Sequence, residues 1–191
     1  MYAISIQNAC VSIHGDIWKQ REKIYNETMR KYSKEEIKEF CRMSGLLVSC
    51  FEKNGIKDYL GDIYMKSGAG SKITGQFFTP FHISVLNATT LLSNVSKEEK
   101  IRLNEPSAGG GGMILAAAKV LEDKGINYQK CLDVTAQDLD WNGVYMTYIQ
   151  LSLLGIDAEV IQGNTLSQEV IQKKVSKENI LFTPARMGVF I

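Results

Sequence analysis

The sequence of 191 residues is poor in the residues that build metal sites and disulfide frameworks. It has two histidines and four cysteines, and no two cysteines form a C-x-x-C pair. Because a zinc site draws on clustered cysteine and histidine ligands, the sequence predicts no metal centre. Free thiols in a reducing compartment are the expected state of the cysteines, which are Cys10, Cys41, Cys50 and Cys131.

An excess of one charge and a long apolar run are also missing. Lys and Arg number 22 against 21 Asp and Glu, which gives a net charge of +1. This balance does not indicate nucleic-acid binding, for which a local basic face or a separate partner would be needed. No apolar run approaches the length of a membrane span, and the N-terminus has no signal-peptide pattern. The sequence therefore predicts a cytoplasmic protein without membrane contact.

The first third of the chain has helical periodicity. Apolar residues recur at helical spacing from about residue 16, whereas residues 1–15 are ambiguous between helix and strand. Ser33 and Glu36 have the spacing of a capping box and predict the start of a further helix. We therefore predict a helical N-terminal extension over residues 1–57 and a second domain over residues 58–191.

The second domain alternates between strand and helix patterns. The predicted strands span residues 101–103, 132–137, 158–161 and 179–182. The predicted helices between them span residues 113–124, 141–154 and about 167–175, the last of them weak. Strands that alternate with helices at this spacing are typical of an α/β fold with a mostly parallel sheet and right-handed crossovers.

A glycine-rich turn follows the first of these strands, in the run Asn104-Glu105-Pro106-Ser107-Ala108-Gly109-Gly110-Gly111-Gly112. A tight glycine turn between a strand and a helix is typical of sites that bind an adenosine-bearing ligand. The dinucleotide fingerprint fails, because Ile114 or Leu115 occupies its third glycine position. The phosphate-binding loop fails as well, because no Gly-Lys-Ser/Thr follows the glycines. Glu105 would repel a pyrophosphate but attract a cation such as the ammonium of S-adenosylmethionine. A flexible turn without a ligand is the alternative interpretation.

Three further polar residues lie at strand ends or at a helix start. Asp138 could accept hydrogen bonds from both hydroxyls of a ribose, while Asp140 is expected to cap the following helix. Asn164 suits either contact with an adenine edge or a plain turn. Thr79 is expected to cap the helix that begins at Pro80, a role compatible with a ligand contact. Because parallel strands end at one edge of a sheet, these residues predict a single ligand site.

Together these segments resemble the adenine-N6 DNA methyltransferases, specifically the modification subunit of type I restriction systems. The resemblance covers about residues 58–184 in the order of that family. The motifs that carry it are Asp58-Tyr59-Leu60-Gly61-Asp62-Ile63-Tyr64, Gly75-Gln76-Phe77-Phe78-Thr79-Pro80 (G-x-F/Y-x-T-P), Glu105-Pro106-Ser107-Ala108-Gly109-Gly110-Gly111-Gly112-Met113 (E-P-T-A-G-S-G-G-M), Ala136-Gln137-Asp138 (G-Q-E) and Gln162-Gly163-Asn164-Thr165-Leu166 (N-G-D-T-L).

The resemblance implies a Rossmann-like methyltransferase fold, S-adenosylmethionine as cofactor and DNA as substrate. It assigns the cofactor's carboxylate to Thr79, its ribose to Asp138 and its adenine to Asn164, where the family usually has Asp. Glu105 and the backbone of the glycine turn would contact the methionine moiety. The implied cofactor-binding residues are Thr79, Glu105, Pro106, Ser107, Gly109, Gly111, Asp138 and Asn164.

The chain departs from that family at the catalytic turn. In the family, an N-P-P-F/Y turn holds the target amine and stacks on the flipped base. Here the last predicted strand ends in Thr183-Pro184-Ala185-Arg186, which keeps one proline but loses the asparagine and the aromatic residue. Thr183 and Pro184 are therefore the candidate catalytic residues, in an altered motif.

Three functions are compatible with these residues. The first is an S-adenosylmethionine-binding DNA adenine-N6 methyltransferase of restriction-modification type, impaired in catalysis. The second is a catalytically inactive cofactor-binding or assembly module that needs a partner subunit, through which it would reach DNA. The third is a methyltransferase for another substrate, completed by a partner chain. Because the family's sheet continues beyond the fourth strand, we expect an incomplete sheet whose C-terminal edge is covered in a homodimer or hetero-oligomer.

Overall fold

The computed structural model describes residues 1–9, 16–68, 76–97, 99–167 and 175–189. Its α-helices are α1 Tyr2–Ala9, α2 Asp16–Met29, α3 Lys34–Asn54, α4 Tyr59–Lys66, α5 Phe81–Leu91, α6 Gly112–Asp123, α7 Tyr128–Cys131 and α8 Trp141–Leu153. Its strands are β1 Ile101–Glu105, β2 Leu132–Asp138, β3 Asp157–Gln162 and β4 Ile180–Phe182. Cys10, Gly75 and most of the weak helix predicted at about 167–175 lie outside the described residues.

The N-terminal helices confirm the helical prediction for this part of the chain. The capping box is present, since the Ser33 Oγ accepts from the Glu36 N–H at 3.2 Å and the Glu36 carboxylate accepts from the Ser33 N–H at 2.8 Å. The ambiguous start of the chain contains α1, which packs against α8 and buries Ala3 and Ile4. The N-terminal segment thus shares the main core, and the domain boundary after residue 57 stays a prediction.

The sheet has the strand order β1-β2-β3-β4. The first three strands are parallel, with Leu103 opposite Val134 and Val134 opposite Ala158. The fourth strand, β4, runs antiparallel to β3, with Leu181 opposite Val160, so the prediction of a mostly parallel sheet is confirmed. Periodicity predicts that a segment is a strand but not its direction, and an antiparallel edge strand is common on an otherwise parallel sheet.

One face of the sheet is apolar and buried. Along β2, Val134 and Ala136 are fully buried whereas Asp133 and Thr135, which point to the opposite face, are partly exposed. Helices α6 and α8 pack on the buried face, where each enclosed side chain contributes about 1.5–3 kcal/mol by leaving water. The large apolar or aromatic side chains of these two helices that are fully buried are Ile114, Leu115, Leu121, Val144, Tyr148 and Leu151.

Two arginines hold β4 and the turn after it. Arg21, a buried residue of α2, donates from Nη2 to the Ile180 carbonyl at 2.7 Å. Arg186 pairs with Asp133 at 2.5 Å through Nη2 and lies 2.7 Å from Asp157 through Nε, the second pair lacking hydrogen-bond alignment. The chain's own residues therefore reach the C-terminal edge of the sheet. The oligomeric state expected from that edge stays a prediction.

We expect Arg186→Met to lower the free energy of unfolding by about 1 kcal/mol, because Met keeps the apolar stem but loses both ion pairs. The pairs are partly exposed, so high salt should reduce the difference. Urea unfolding at low and high salt measures both effects. Arg42→Met is the matched control, since the Arg42 side chain is 70% exposed and its pair with Glu39 should contribute little. Equal losses in the two variants would contradict the role given to Arg186.

Candidate functional site

A pocket of about 460 Å³ lies where the carboxyl ends of β1, β2 and β3 meet the N-terminus of α6. Its volume is in the range of small-molecule sites, and its position is where open α/β sheets bind ligands. The pocket brings together six of the sequence-predicted residues, which are Thr79, Pro106, Ser107, Gly109, Asp138 and Asn164. Glu105 and Gly111 do not line it.

The glycine turn is closely packed on both sides. Gly109 and Gly111 have φ values of 54° and 90°, in the left-handed region that favours glycine. A Cβ at Gly109 would lie 2.8 Å from the Phe78 ring, and one at Gly110 would lie 2.9 Å from both Asp58 carboxylate oxygens. Packing as well as backbone conformation therefore requires glycine here, which argues against a merely flexible turn.

Helix α8 fixes the backbone of this turn with two buried polar side chains that the sequence analysis did not identify. The Thr147 Oγ1 donates to the Gly109 carbonyl at 3.0 Å, and the Gln150 Nε2 donates to the Gly110 carbonyl at 2.7 Å. Both side chains are fully buried. Their signal was present, because polar residues three apart on the apolar face of a predicted helix need buried partners.

Gln150 also connects the turn to α4. Its Nε2 donates to the Asp58 Oδ1 at 2.8 Å, and its Oε1 accepts from the Leu60 N–H at 3.2 Å. One amide thus joins α8, the glycine turn and the start of α4. Removing it would leave several buried polar groups without a partner, which costs about 1–3 kcal/mol for each group.

Asp58 is the acidic residue that lies against the glycine turn. It is 4% exposed, and its Oδ1 also accepts from the Gly61 N–H at 2.8 Å, so that it caps α4. Burial raises the pKa of the Asp58 carboxyl above its ordinary value, although the hydrogen bonds from Gln150 and the Gly61 N–H oppose this shift. The sequence analysis placed Asp58 in a resembling motif but gave it no role in the site.

Asp138 lies at the predicted strand end and holds two backbone segments together. Its Oδ2 accepts from the Gly109 N–H at 2.7 Å, and its Oδ1 accepts from the Asp140 N–H at 2.8 Å. A Cβ at Gly143 would lie 2.8 Å from the Asp138 Cγ, so α8 approaches this carboxylate closely. Asp140 caps α8 as predicted, accepting from the Asn142 N–H at 3.1 Å. The ribose contact expected of Asp138 stays a prediction.

Glu105 is directed into its own turn. Its Oε1 accepts from the Ser107 N–H at 3.2 Å and from the Ser107 Oγ at 3.4 Å. The carboxylate that charge arguments placed next to a cationic ligand is therefore engaged beside the pocket rather than in its lining. The contact between Glu105 and a methionine moiety stays a prediction without support from this geometry.

Asn164 and Thr79 line the pocket from exposed positions. The Asn164 Oδ1 accepts from the Leu166 N–H at 3.0 Å, which is the turn role that the sequence left open. The expected cap of α5 is wrong by one residue, because Pro80 is its N-cap and makes no side-chain cap bond. Proline suits a helix start because its ring fixes φ, but its side chain has no acceptor for a cap bond. Thr79 lies one residue before the N-cap and does not cap the helix.

Thr183 and Pro184 lie at the opposite edge of the sheet. Thr183 is fully buried, donating from Oγ1 to the Ile156 carbonyl at 2.8 Å and accepting from the Ala158 N–H at 3.0 Å. Those partners lie at the amino end of β3, roughly 17 Å from its carboxyl end at about 3.3 Å per residue. Because β4 is antiparallel, its end points away from the pocket, so the structure does not bring the two candidate catalytic residues to the implied position.

The family model for N-6 DNA methylases matches residues 56–184, which include the glycine turn, the pocket-lining strand ends and β4. The chain belongs to the N-6 DNA methylase family. Its first three strands, with α6 and α8, form a Rossmann-like α/β unit. None of the curated proteins compared with the chain matches it.

Two solved structures are distantly similar to this chain. One is a type I restriction-modification system methyltransferase subunit from Streptococcus thermophilus, with 17% identity and a TM-score of 0.46 over 61% of this chain and 25% of that chain. The other is a protein from Listeria monocytogenes assigned to the class I S-adenosylmethionine-dependent methyltransferases, with 14% identity and a TM-score of 0.41 over 60% of this chain and 36% of that one. The chain thus spans about a quarter of the first protein's length.

The described ranges contain neither a metal-ligand cluster nor a membrane-spanning helix. No group of three or more His, Cys, Asp or Glu side chains in those ranges is placed to hold a metal ion. No helix there is long and apolar enough to cross a membrane.

We expect Gly110→Ala to lower the free energy of unfolding by about 1–3 kcal/mol, because the added methyl group would overlap the buried Asp58 carboxylate. Denaturant unfolding followed by circular dichroism measures the change. Gly45→Ala is the matched control, since a Cβ there meets nothing within 4 Å and alanine should stabilise α3 by about 0.5–1 kcal/mol. A Gly110→Ala protein as stable as the wild type would contradict the packing described for the turn.

Proposed function

We propose that this domain binds S-adenosylmethionine in the pocket at the carboxyl ends of β1, β2 and β3. The observation that carries the proposal is the convergence of the glycine turn, Asp138 and Asn164 on one pocket. The start of α6 offers N–H groups to such a ligand, and the first residue of this helix, Gly112, lines the pocket. Carboxylates at Asp58 and Asp138 suit a ligand that carries positive charge and hydroxyl groups.

The proposed contacts follow the donors and acceptors of each side chain. Asp138 would take the ribose hydroxyls, since each of its oxygens accepts one backbone N–H and can accept a second hydrogen bond. Asn164 would offer its amide N–H₂ group to the adenine edge while its oxygen holds the turn. Thr79 would donate to the cofactor's carboxylate. When bound, the cofactor supplies an electrophilic methyl group on its sulfonium.

We further propose that the complete reaction of this family member is adenine-N6 methylation of DNA, in a restriction-modification context. The support is the family to which the chain belongs and the order of its motifs. The cytoplasm is the proposed compartment, because DNA and the cofactor meet there.

A second candidate function is a cofactor-binding module that needs a partner subunit for catalysis. A specific observation favours it, since Thr183 and Pro184 lie at the edge of the sheet away from the pocket. Thr183 uses its hydroxyl on β3 and cannot hold a target amine from that position. An acceptor for the amine, and contact with DNA, would then come from a partner chain.

Binding is tested with S-adenosylhomocysteine, the demethylated product. At about 100 times its dissociation constant, the ligand should stabilise the protein by about 2.7 kcal/mol, seen as a rise in Tm. Thr79→Ala should weaken binding about tenfold without changing the Tm of the free protein, because Thr79 is exposed. Thr90→Ala, an exposed position of α5 outside the pocket, is the control. A folded wild-type protein that binds no ligand at millimolar concentration would refute the proposal.

Catalysis is tested with labelled S-adenosylmethionine and duplex DNA. We expect the isolated chain to transfer no methyl groups above background, because its Thr-Pro turn is remote from the pocket. Thr183→Val should lower the free energy of unfolding by about 1–3 kcal/mol, because the Ala158 N–H and the Ile156 carbonyl lose their hydrogen-bond partner. It should leave ligand affinity unchanged. Robust methylation by the isolated chain, abolished in Thr183→Val, would mean that the turn acts at the pocket after all.

A further inference from the structure

A hydroxyl group without a partner lies in the lining of the pocket. Ser84, on the first turns of α5, is fully buried, and its Oγ has no hydrogen-bond partner among the residues that the structure describes. Buried hydroxyls are nearly always hydrogen-bonded, so an exception in the lining of a pocket indicates a group that can bind a ligand or a water. Ser84 therefore differs from Asp58, Asp138 and Asn164, whose side chains are already hydrogen-bonded.

A carboxylate oxygen lies close to the same place. A Cβ built on Gly112 would lie 3.1 Å from the Asp58 Oδ2 and 3.7 Å from the Ser84 Oγ. Asp58 lines the pocket as well, and the hydrogen bonds it receives from the described residues end on its other oxygen, Oδ1. Two oxygen acceptors thus converge on the small space beside the first residue of α6.

We propose that Asp58 and Ser84 form a subsite for a primary ammonium group, the α-ammonium of the methionine moiety of S-adenosylmethionine. This inference rests on the proposed function. An ammonium has three donors, so one can reach the Asp58 carboxylate and another the Ser84 Oγ. The subsite replaces Glu105 as the group that attracts the cation.

The negative charge of the subsite favours the ammonium group of the methionine moiety over its carboxylate. A ligand carboxylate beside the Asp58 carboxylate would be repelled, most strongly in a site shielded from water. An ammonium there would instead compensate a buried negative charge, which is otherwise costly. Burial is the main cause that raises the pKa of the Asp58 carboxyl, and a ligand ammonium beside it would oppose that shift. Glu105 is held by Ser107 outside the lining, so it does not compete for this role.

The test compares three ligands by isothermal calorimetry on the full chain. S-adenosylhomocysteine has both the ammonium and the carboxylate, decarboxylated S-adenosylmethionine has only the ammonium, and 5′-methylthioadenosine has neither. We expect Ser84→Ala to weaken the first two about tenfold and to leave the third within about twofold. Asp58→Asn, checked for folding by circular dichroism, should show the same ligand pattern.

Ser152→Ala is the matched control. Its Oγ is also buried without a partner among the described residues, but it lies on α8 outside the pocket. Both serine variants should keep or raise the Tm of the free protein, since each removes an unsatisfied hydroxyl. Only Ser84→Ala should then lose affinity, a combination that a structural role for Ser84 does not give.

The outcomes separate this inference from the proposed function. If the wild-type protein binds none of the three ligands, both fail. If it binds them and Ser84→Ala changes no affinity, or weakens all three alike, the subsite is wrong while cofactor binding stands. A loss confined to S-adenosylhomocysteine would show that Ser84 meets the carboxylate, and would overturn the assignment to the ammonium.

Discussion

The site depends on the close approach of the glycine turn to α8 and α4. Gln150 spans that contact, with one amide hydrogen-bonded to the Gly110 carbonyl, the Asp58 carboxylate and the Leu60 N–H. Because these groups are buried or partly buried, each would be costly without the others, and the network holds together as a unit. The absence of side chains at the glycines is what allows Asp58 to lie against the turn. The packing of these residues alone therefore fixes the conformation of the glycine turn, without a bound ligand.

The direction of β4 places the Thr183-Pro184 turn away from the pocket. A parallel strand would carry the Thr183-Pro184 turn to the same edge as the glycine turn. The antiparallel strand carries it to the amino end of β3, where Thr183 bonds the backbone and Arg186 joins Asp133 and Asp157. The substitutions that remove the family's catalytic turn thus coincide with side chains suited to stabilising a sheet edge.

Sequence patterns predicted much of this structure, and their failures have physical causes. Local signals located the elements well, as with the Ser33 capping box and the Asp140 cap, since both depend on neighbouring residues. The direction of β4 depends on long-range pairing, which no local pattern encodes. Glu105 was expected in the pocket from its charge and from the family resemblance, yet its carboxylate accepts from the Ser107 N–H instead. Thr147 and Gln150 escaped because their roles depend on which helix packs over the turn.

Charge in the pocket has a consequence for ligand choice. Asp58 and Asp138 are both buried carboxylates that lie against the glycine turn, Asp58 at Gly110 and Asp138 at the Gly109 N–H. Such a pair disfavours phosphate-bearing ligands, whose negative charge would meet two carboxylates in a shielded site. It favours an adenosine ligand whose chain carries positive charge and whose ribose hydroxyls are free to donate. A glycine turn often marks phosphate binding, but the acids that flank this one support the proposed S-adenosylmethionine over a phosphate-bearing ligand.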